Sequence, residues 1–78
     1  MTRLELYGTR SCPYTSEMRE WLEFSRQDFV EYDVENDAEA LGRFRILANS
    51  QRTVPVLVEE GKVVQVGWQG RGCLVSRD

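Results

Sequence analysis

The sequence predicts an α/β domain with the order β-α-β-α-β-β, its strands forming a four-stranded mixed sheet. Three observations carry that prediction. Apolar residues alternate over 4–7 and 29–34, which is strand spacing, and 53–59 reads as a third strand despite its proline. Over about 13–26 and 36–48 they recur at three- and four-residue steps, which is helical spacing. Glu60-Gly61 then turns the third strand back onto 62–66 as an antiparallel hairpin.

In the first strand Leu4 and Leu6 share one face, and Arg3, Glu5 and Tyr7 the other. Gly8-Thr9-Arg10 makes a turn. Pro13 suits the first helical position, where its missing N–H loses nothing and its fixed φ is already helical. The helix that follows turns Tyr14, Met18, Trp21, Leu22 and Ser25 inward and Glu17, Arg19, Glu20 and Glu23 to water. Phe29 to Val34 alternates again as a second strand. Two strands joined by one helix read as a right-handed βαβ unit with a parallel pair. Asn36-Asp37-Ala38-Glu39 reads as a capping box, with Asn36 as cap and Glu39 reaching back. The second helix places Ala40, Leu41, Phe44, Leu47 and Ala48 on one face and ends at Asn49-Ser50; Gly42 weakens it by about 1 kcal/mol relative to alanine. Thr53 to Glu59 is the third strand, with Pro55 marking an irregular entry. After Gly67 the chain is too glycine-rich for a helix, and 74–78 leaves room for one turn at most.

Seventy-eight residues allow one domain, spanning 1–78. A chain this short buries only about 60% of its unfolded surface, so modest stability is expected. A net charge of −3 and a pI near 4.9 argue against a phosphate-backbone partner, so no nucleic acid is expected. No apolar run approaches the ~18–20 residues of a membrane span. The amino terminus lacks the apolar core of a signal peptide, which points to a cytoplasmic protein. Two cysteines are too few for a disulfide scaffold and favour redox or catalytic use. The absence of histidine excludes Cys-His catalysis and argues against structural zinc, so no metal is expected.

Chemistry concentrates at Cys12. Placed at the N-cap of the first helix, its sulfur faces unpaired N–H groups and the positive end of the helix dipole, which favour a thiolate. Arg10 adds a cation two residues upstream. This reads as a low-pKa nucleophile; the competing reading is a small buried hydrophobe.

Cys12-Pro13-Tyr14-Thr15 at the first helix, Thr53-Val54-Pro55 opening the third strand, a hairpin and a glycine-rich exit together resemble the glutaredoxins of the thioredoxin fold, over residues 3–73. The resemblance implies that Cys12 is the nucleophile of a thiol–disulfide oxidoreductase and that the Val54–Pro55 bond beside it is cis. Val54 N–H and C=O would then stand free to pair with the backbone of a bound thiol peptide. Pro13, Tyr14, Thr53, Gly67 and Trp68 would line that site. Arg10 matches the family's basic residue, and Arg52 and Arg43 are candidates to hold a glutathione carboxylate. For Arg43 a solvated helix face is the simpler reading.

Thr15 stands where the second motif cysteine belongs, so a Cys-x-x-Cys disulfide cannot form. The resemblance then implies a monothiol route. Cys12 attacks a glutathione mixed disulfide, the product thiol leaves, and a second glutathione regenerates Cys12. The Thr15 hydroxyl could donate a hydrogen bond to the thiolate. Glutathione is the expected co-substrate, and glutathionylated proteins the expected partners. The exit Gly67-Trp68-Gln69-Gly70-Arg71-Gly72 lacks the acidic group that glutaredoxins use for the glutathione amino end. It is also similar to the Trp-Ser-Gly segment of glutaredoxin-like electron donors, so an electron donor to a reductase-type partner is an alternative. The chain also resembles small bacterial redox proteins in which selenocysteine can occupy the Cys12 position, which fits a nucleophile-only site. A further alternative is a non-enzymatic module holding a [2Fe–2S] cluster between two protomers with two glutathiones, which a Pro13-stiffened loop disfavours. Cys73 is either a resolving thiol or a spare one; pairing with Cys12 needs Cα atoms under about 7 Å apart. In this fold a third helix normally covers the sheet face that carries the first. Here it is truncated or absent, which is expected to bare apolar sheet surface that a homodimer could cover.

Overall fold

The structure is a computed structural model and describes residues 3–49 and 51–75. The chain runs β1 (Leu4–Gly8), α1 (Pro13–Phe24), β2 (Phe29–Asp33), α2 (Ala38–Leu47), β3 (Thr53–Val54), β4 (Val56–Glu59), β5 (Lys62–Val66) and β6 (Cys73–Leu74). Strands β2, β1, β4 and β5 lie in that order in one sheet. β1 is parallel to β2, as a crossover through a helix allows, and antiparallel to β4; β4 and β5 are antiparallel. This is the expected α/β fold on a four-stranded mixed sheet, with two helices among the described residues.

Both faces of β1 are buried. Leu4 and Leu6 pack with Met18 and Leu22 of α1 and Leu57 of β4. On the other face Tyr7 packs with Ala40 and Phe44 of α2 and with Val54, Val56 and Val58. The sheet is thus the middle of three layers with one helix on each side, and β1 is its centre. Arg19 ties α1 to β2 through a forked pair with Glu31, at 2.6 and 2.7 Å.

Several local expectations are corrected. Met18 and Leu22 face inward as expected, joined by Thr15, and Tyr14 is half-buried, but Trp21 and Ser25 are not on the inward edge. Trp21 is 42% exposed, and Ser25 is the C-cap. The cap of α2 is Asp37, whose carboxylate accepts from the N–H groups of Glu39 and Ala40. The Asn36 amide instead donates to Asp33 at 2.7 Å. The 53–59 stretch is two strands, divided at the cis Val54–Pro55 peptide. β3 leaves the main sheet to pair with β6, a strand the glycine-rich sequence did not announce. Ser50 and residues 76–78 lie outside the described residues, so the helix end at Ser50 and most of the expected last turn lie there too. Leu74, which that turn included, is a strand residue.

The expectation of bared apolar sheet surface holds in part, since Val64 and Val66 of β5 and Val30 of β2 are 52%, 47% and 43% exposed, but the centre of the α1 face is covered. Leu4, Leu6 and Leu57 are all buried, and Trp68 packs against their cluster. Trp68 stands in a tight turn closed by its N–H to Arg71 O at 2.6 Å and Arg71 N–H to Trp68 O at 2.9 Å. Its ring lies 5.8 Å from that of Trp21, and its Nε1 donates to Glu17 at 3.0 Å. One indole on a turn covers part of the face a third helix would cover.

Candidate active site

The turn from β1 into α1 is tight because Gly8 has no Cβ. A Cβ there would overlap the methyl and hydroxyl of Thr15, so the first turn of α1 lies directly on the end of β1. Cys12 is thereby the N-cap of α1, in an extended conformation, with its side chain making no cap hydrogen bond. Its carbonyl accepts from Thr15 N–H at 3.1 Å and Ser16 N–H at 3.3 Å. The residue is 1% exposed and belongs to the α2-side core.

The Cys12 sulfur is bonded to Cys73, with the two Cα atoms 5.9 Å apart. That lies inside the ~7 Å limit for a bridge. The same sulfur sits 4.0 Å from the carbonyl oxygen of Val54. β6 brings Cys73 there by pairing antiparallel with β3, Thr53 opposite Leu74 and Val54 opposite Cys73. Val75 N–H donates to Arg52 O at 2.9 Å, which sets the phase of this short ladder. Hydrogen-bonding positions alternate along an antiparallel pair, so Val54 and Cys73 face each other at such a position. The Val54 edge expected to stand free is therefore occupied by the chain itself. From the other side Gly67 N–H donates to Pro55 O at 2.7 Å, fixing the start of the exit segment.

The structure thus assembles Cys12, Cys73, Thr53, Val54, Pro55 and Gly67. The remaining candidates stand further out. Thr15 points into the fold, fully buried, and its hydroxyl has no hydrogen-bond partner, Cys12 included. Pro13 is exposed, and Tyr14 is half-buried against the α2-side core. Arg10 is largely exposed and reaches Asp33 at 3.9 Å. Arg52 is exposed beside β3. Arg43 lies over the Tyr32 ring, 4.6 Å from its centroid, and Tyr32 in turn stacks on Tyr7. Trp68 makes its contacts with Glu17 and Trp21 on α1.

Two titrating groups border the Gly8 turn. Burial pushes the Tyr7 phenol above its ordinary value, helped by the neighbouring Glu5 carboxylate. For Asp33 burial acts upward, yet the hydrogen bonds from the Asn36 side chain and from the Glu35 and Asn36 backbones, with the Arg10 cation, hold it below its ordinary value. No group of three or more potential metal ligands is assembled among the described residues, and none of their helices is long and apolar enough to cross a membrane. Sequence reasoning missed three contributors: Asp33, Glu17 and Gly72. Gly72 alone left a signal, as a glycine directly before a cysteine.

Residues 4–64 match the family model for glutaredoxin, so Cys12 and Thr53-Val54-Pro55 fall inside the match and Cys73 beyond it. No curated protein matches the chain. Among solved structures, the thioredoxin-like protein BC3987 is 30% identical with a TM-score of 0.73, over 85% of this chain and 88% of that one. A mutant form of the same protein gives a TM-score of 0.74 at 30% identity, over 85% and 82%. Glutaredoxin 1 from Francisella tularensis, complexed with cacodylate, shares the fold, with a TM-score of 0.64 at 19% identity over 87% and 85%.

Proposed function

The chain belongs to the glutaredoxin family, and on that premise we propose a thiol–disulfide oxidoreductase in which Cys12 attacks and Cys73 resolves. The observation that carries this reading is the Cys12–Cys73 pair, with its Cα atoms 5.9 Å apart and its first sulfur at a helix N-terminus. In the reduced enzyme the Cys12 thiolate attacks one sulfur of a substrate disulfide. A Cys12–substrate mixed disulfide forms, and the other substrate sulfur leaves as a thiolate that takes a proton from water. The Cys73 thiolate then attacks Cys12 Sγ, expels the second substrate sulfur and leaves the Cys12–Cys73 disulfide. Two electrons have passed to the substrate. Two molecules of a small thiol such as glutathione, or one reductase dithiol, return them.

Helix N-terminal N–H groups favour thiolate at Cys12 in this cycle. Arg10, Pro13, Tyr14, Arg52, Thr53, Gly67 and Trp68 remain the groups proposed to receive a glutathionyl substrate, with Arg52 for a carboxylate. In a purely monothiol cycle a second glutathione would do what Cys73 does here; the proximity of Cys73 favours the internal route. A reducing compartment such as the cytoplasm suits a protein whose working form is the dithiol.

The test is trapping. Reduced Cys73→Ser protein treated with oxidised glutathione should accumulate a Cys12–glutathione mixed disulfide by mass spectrometry, whereas wild type should pass on to the internal bond. Cys12→Ser should lose all disulfide reduction. A Cys73→Ser protein that turns over like wild type removes Cys73 from the cycle. A wild-type protein that reduces no disulfide removes the proposal.

A further inference from the structure

We propose that the reduced Cys12–Cys73 pair is a two-coordinate site for a soft monovalent cation, copper(I), held between the two thiolates. The proposal rests on the two-cysteine reading above, since both sulfurs must be free, and goes beyond it to a ligand that exchanges no electrons with them.

With the Cα atoms 5.9 Å apart, rotation of the two side chains alone carries the sulfurs from disulfide contact, about 2.05 Å, out to roughly the Cα spacing when the arms lie parallel. A metal–thiolate bond is about 2.3 Å, so a cation in line between two sulfurs needs them about 4.6 Å apart. That value falls inside the range, and no backbone has to move. Cys12 is 1% exposed and fixed at the head of α1, whereas Cys73 is half-buried beside Leu74, which is 76% exposed. Cys73 is therefore the arm that swings.

Selectivity follows from what else is within reach. The chain has no histidine, and Met18 lies in the α1-side core rather than with Cys12. The pair belongs to an apolar cluster with Val54, Val56 and Val75. The neighbouring oxygen, Val54 O at 4.0 Å from Cys12 Sγ, is a hard donor. No group of three or more potential ligands is assembled among the described residues. Zinc asks for four donors, but copper(I) is satisfied by two soft ones. The bis-thiolate complex carries one net negative charge, and it sits at the N-terminus of the 12-residue α1, whose dipole favours an anion.

In binding, two Cu–S bonds form, the thiol protons pass to solvent, and no oxidation state changes. The electron pairs that hold copper are those that attack a disulfide. A loaded chain cannot enter the exchange cycle, and oxidation to the Cys12–Cys73 disulfide releases the cation. Occupancy and oxidation therefore exclude each other.

The experiment titrates reduced, folded wild-type protein anaerobically with the copper(I)–bicinchoninate complex, whose loss of colour reports transfer. One copper per chain should move, the sedimentation coefficient should not change, and both thiols should stop reacting with dithiobis-nitrobenzoate. Oxidised wild type, folded and without a free thiol, should take none. Cys73→Ser should bind about 100- to 10,000-fold more weakly, the gain that a second tethered donor brings. Zinc at the same concentration should leave both thiols reactive. Equal uptake by Cys73→Ser or by oxidised wild type, equal protection by zinc, or a copper-linked dimer overturns the inference. So do two reactive thiols that leave all the copper on bicinchoninate, an outcome that keeps the redox reading. A pair that no reductant opens overturns the two-cysteine reading beneath it.

Discussion

Replacing Cys73 with serine opens a covalent loop of 61 residues, and the stability lost can be worked from that length. In the chain-entropy treatment a loop of this size removes about 14 cal/mol/K from the unfolded ensemble, or about 4 kcal/mol at 25 °C. A 78-residue domain has roughly 4–12 kcal/mol in total. The oxidised form should therefore owe a third or more of its stability to one bond. At a urea slope of ~1 kcal/mol per M, Cys73→Ser should unfold roughly 4 M earlier than oxidised wild type. Trp21 and Trp68, 5.8 Å apart in the fold, give the fluorescence readout. Reciprocity follows. A bond that stabilises the fold by about 4 kcal/mol is itself about a thousandfold harder to reduce in the folded protein than in the unfolded chain. A difference between variant and oxidised wild type below ~1 kcal/mol would refute the loop reasoning.

Other outcomes are equally specific. Asp37→Ala should destabilise by about 1 kcal/mol in thermal unfolding, because it removes the α2 cap; Asn36→Ala should have a smaller effect, and the reverse order would return the cap to Asn36. Thr15→Val should be neutral or stabilising by up to ~1 kcal/mol, since it replaces a buried hydroxyl that has no partner; a clear loss of stability would show that the hydroxyl is used. Asp33 has a lowered folded pKa, so its contribution is present above its ordinary value near pH 4 and is lost as pH falls through the lower folded value. Asp33→Asn should flatten that part of the acid-denaturation curve, and an unchanged curve would count against the Asn36 and Glu35 bonds.

The architecture was legible because each main element carries its own period. β1 and β2 alternate, β4 is a short apolar run, and α2 shows Ala40, Phe44 and Ala48 four residues apart. What escaped depended on partners distant in sequence. Trp21 sits at helical spacing from Met18, yet its neighbour is Trp68, and nothing in α1 announces that contact. Asn36 and Asp37 are both good caps; the choice falls to Asp37 because the Asn36 amide is engaged with Asp33, a strand residue. β6 has two residues, too few for any period, and its partner β3 lies about twenty residues away. Of the site, Cys12 and Thr53-Val54-Pro55 were readable from local chemistry. Cys73 could only be left as one of two alternatives, since cysteine spacing says nothing of reach. Thr15 was recognised as the substitute for a second cysteine, but its burial against Gly8 follows from a close approach that the sequence does not encode locally.

The Trp68 contact also shows how much of the fold hangs on ties distant in sequence. Within helix α1 the contacts are local and form with little loop closure, whereas the β1–β2 pair joins residues such as Leu4 and Phe29. Glu17 and Trp68 are 51 residues apart, and the two cysteines 61. Both long-range ties start within six residues of each other at the head of α1 and end within six residues on the exit. Both depend on the bond that brings Gly67 onto Pro55. The hydrophobic cover of the α1 face and the redox pair are thus anchored by one exit segment, Trp68 at its start and Cys73 at its end.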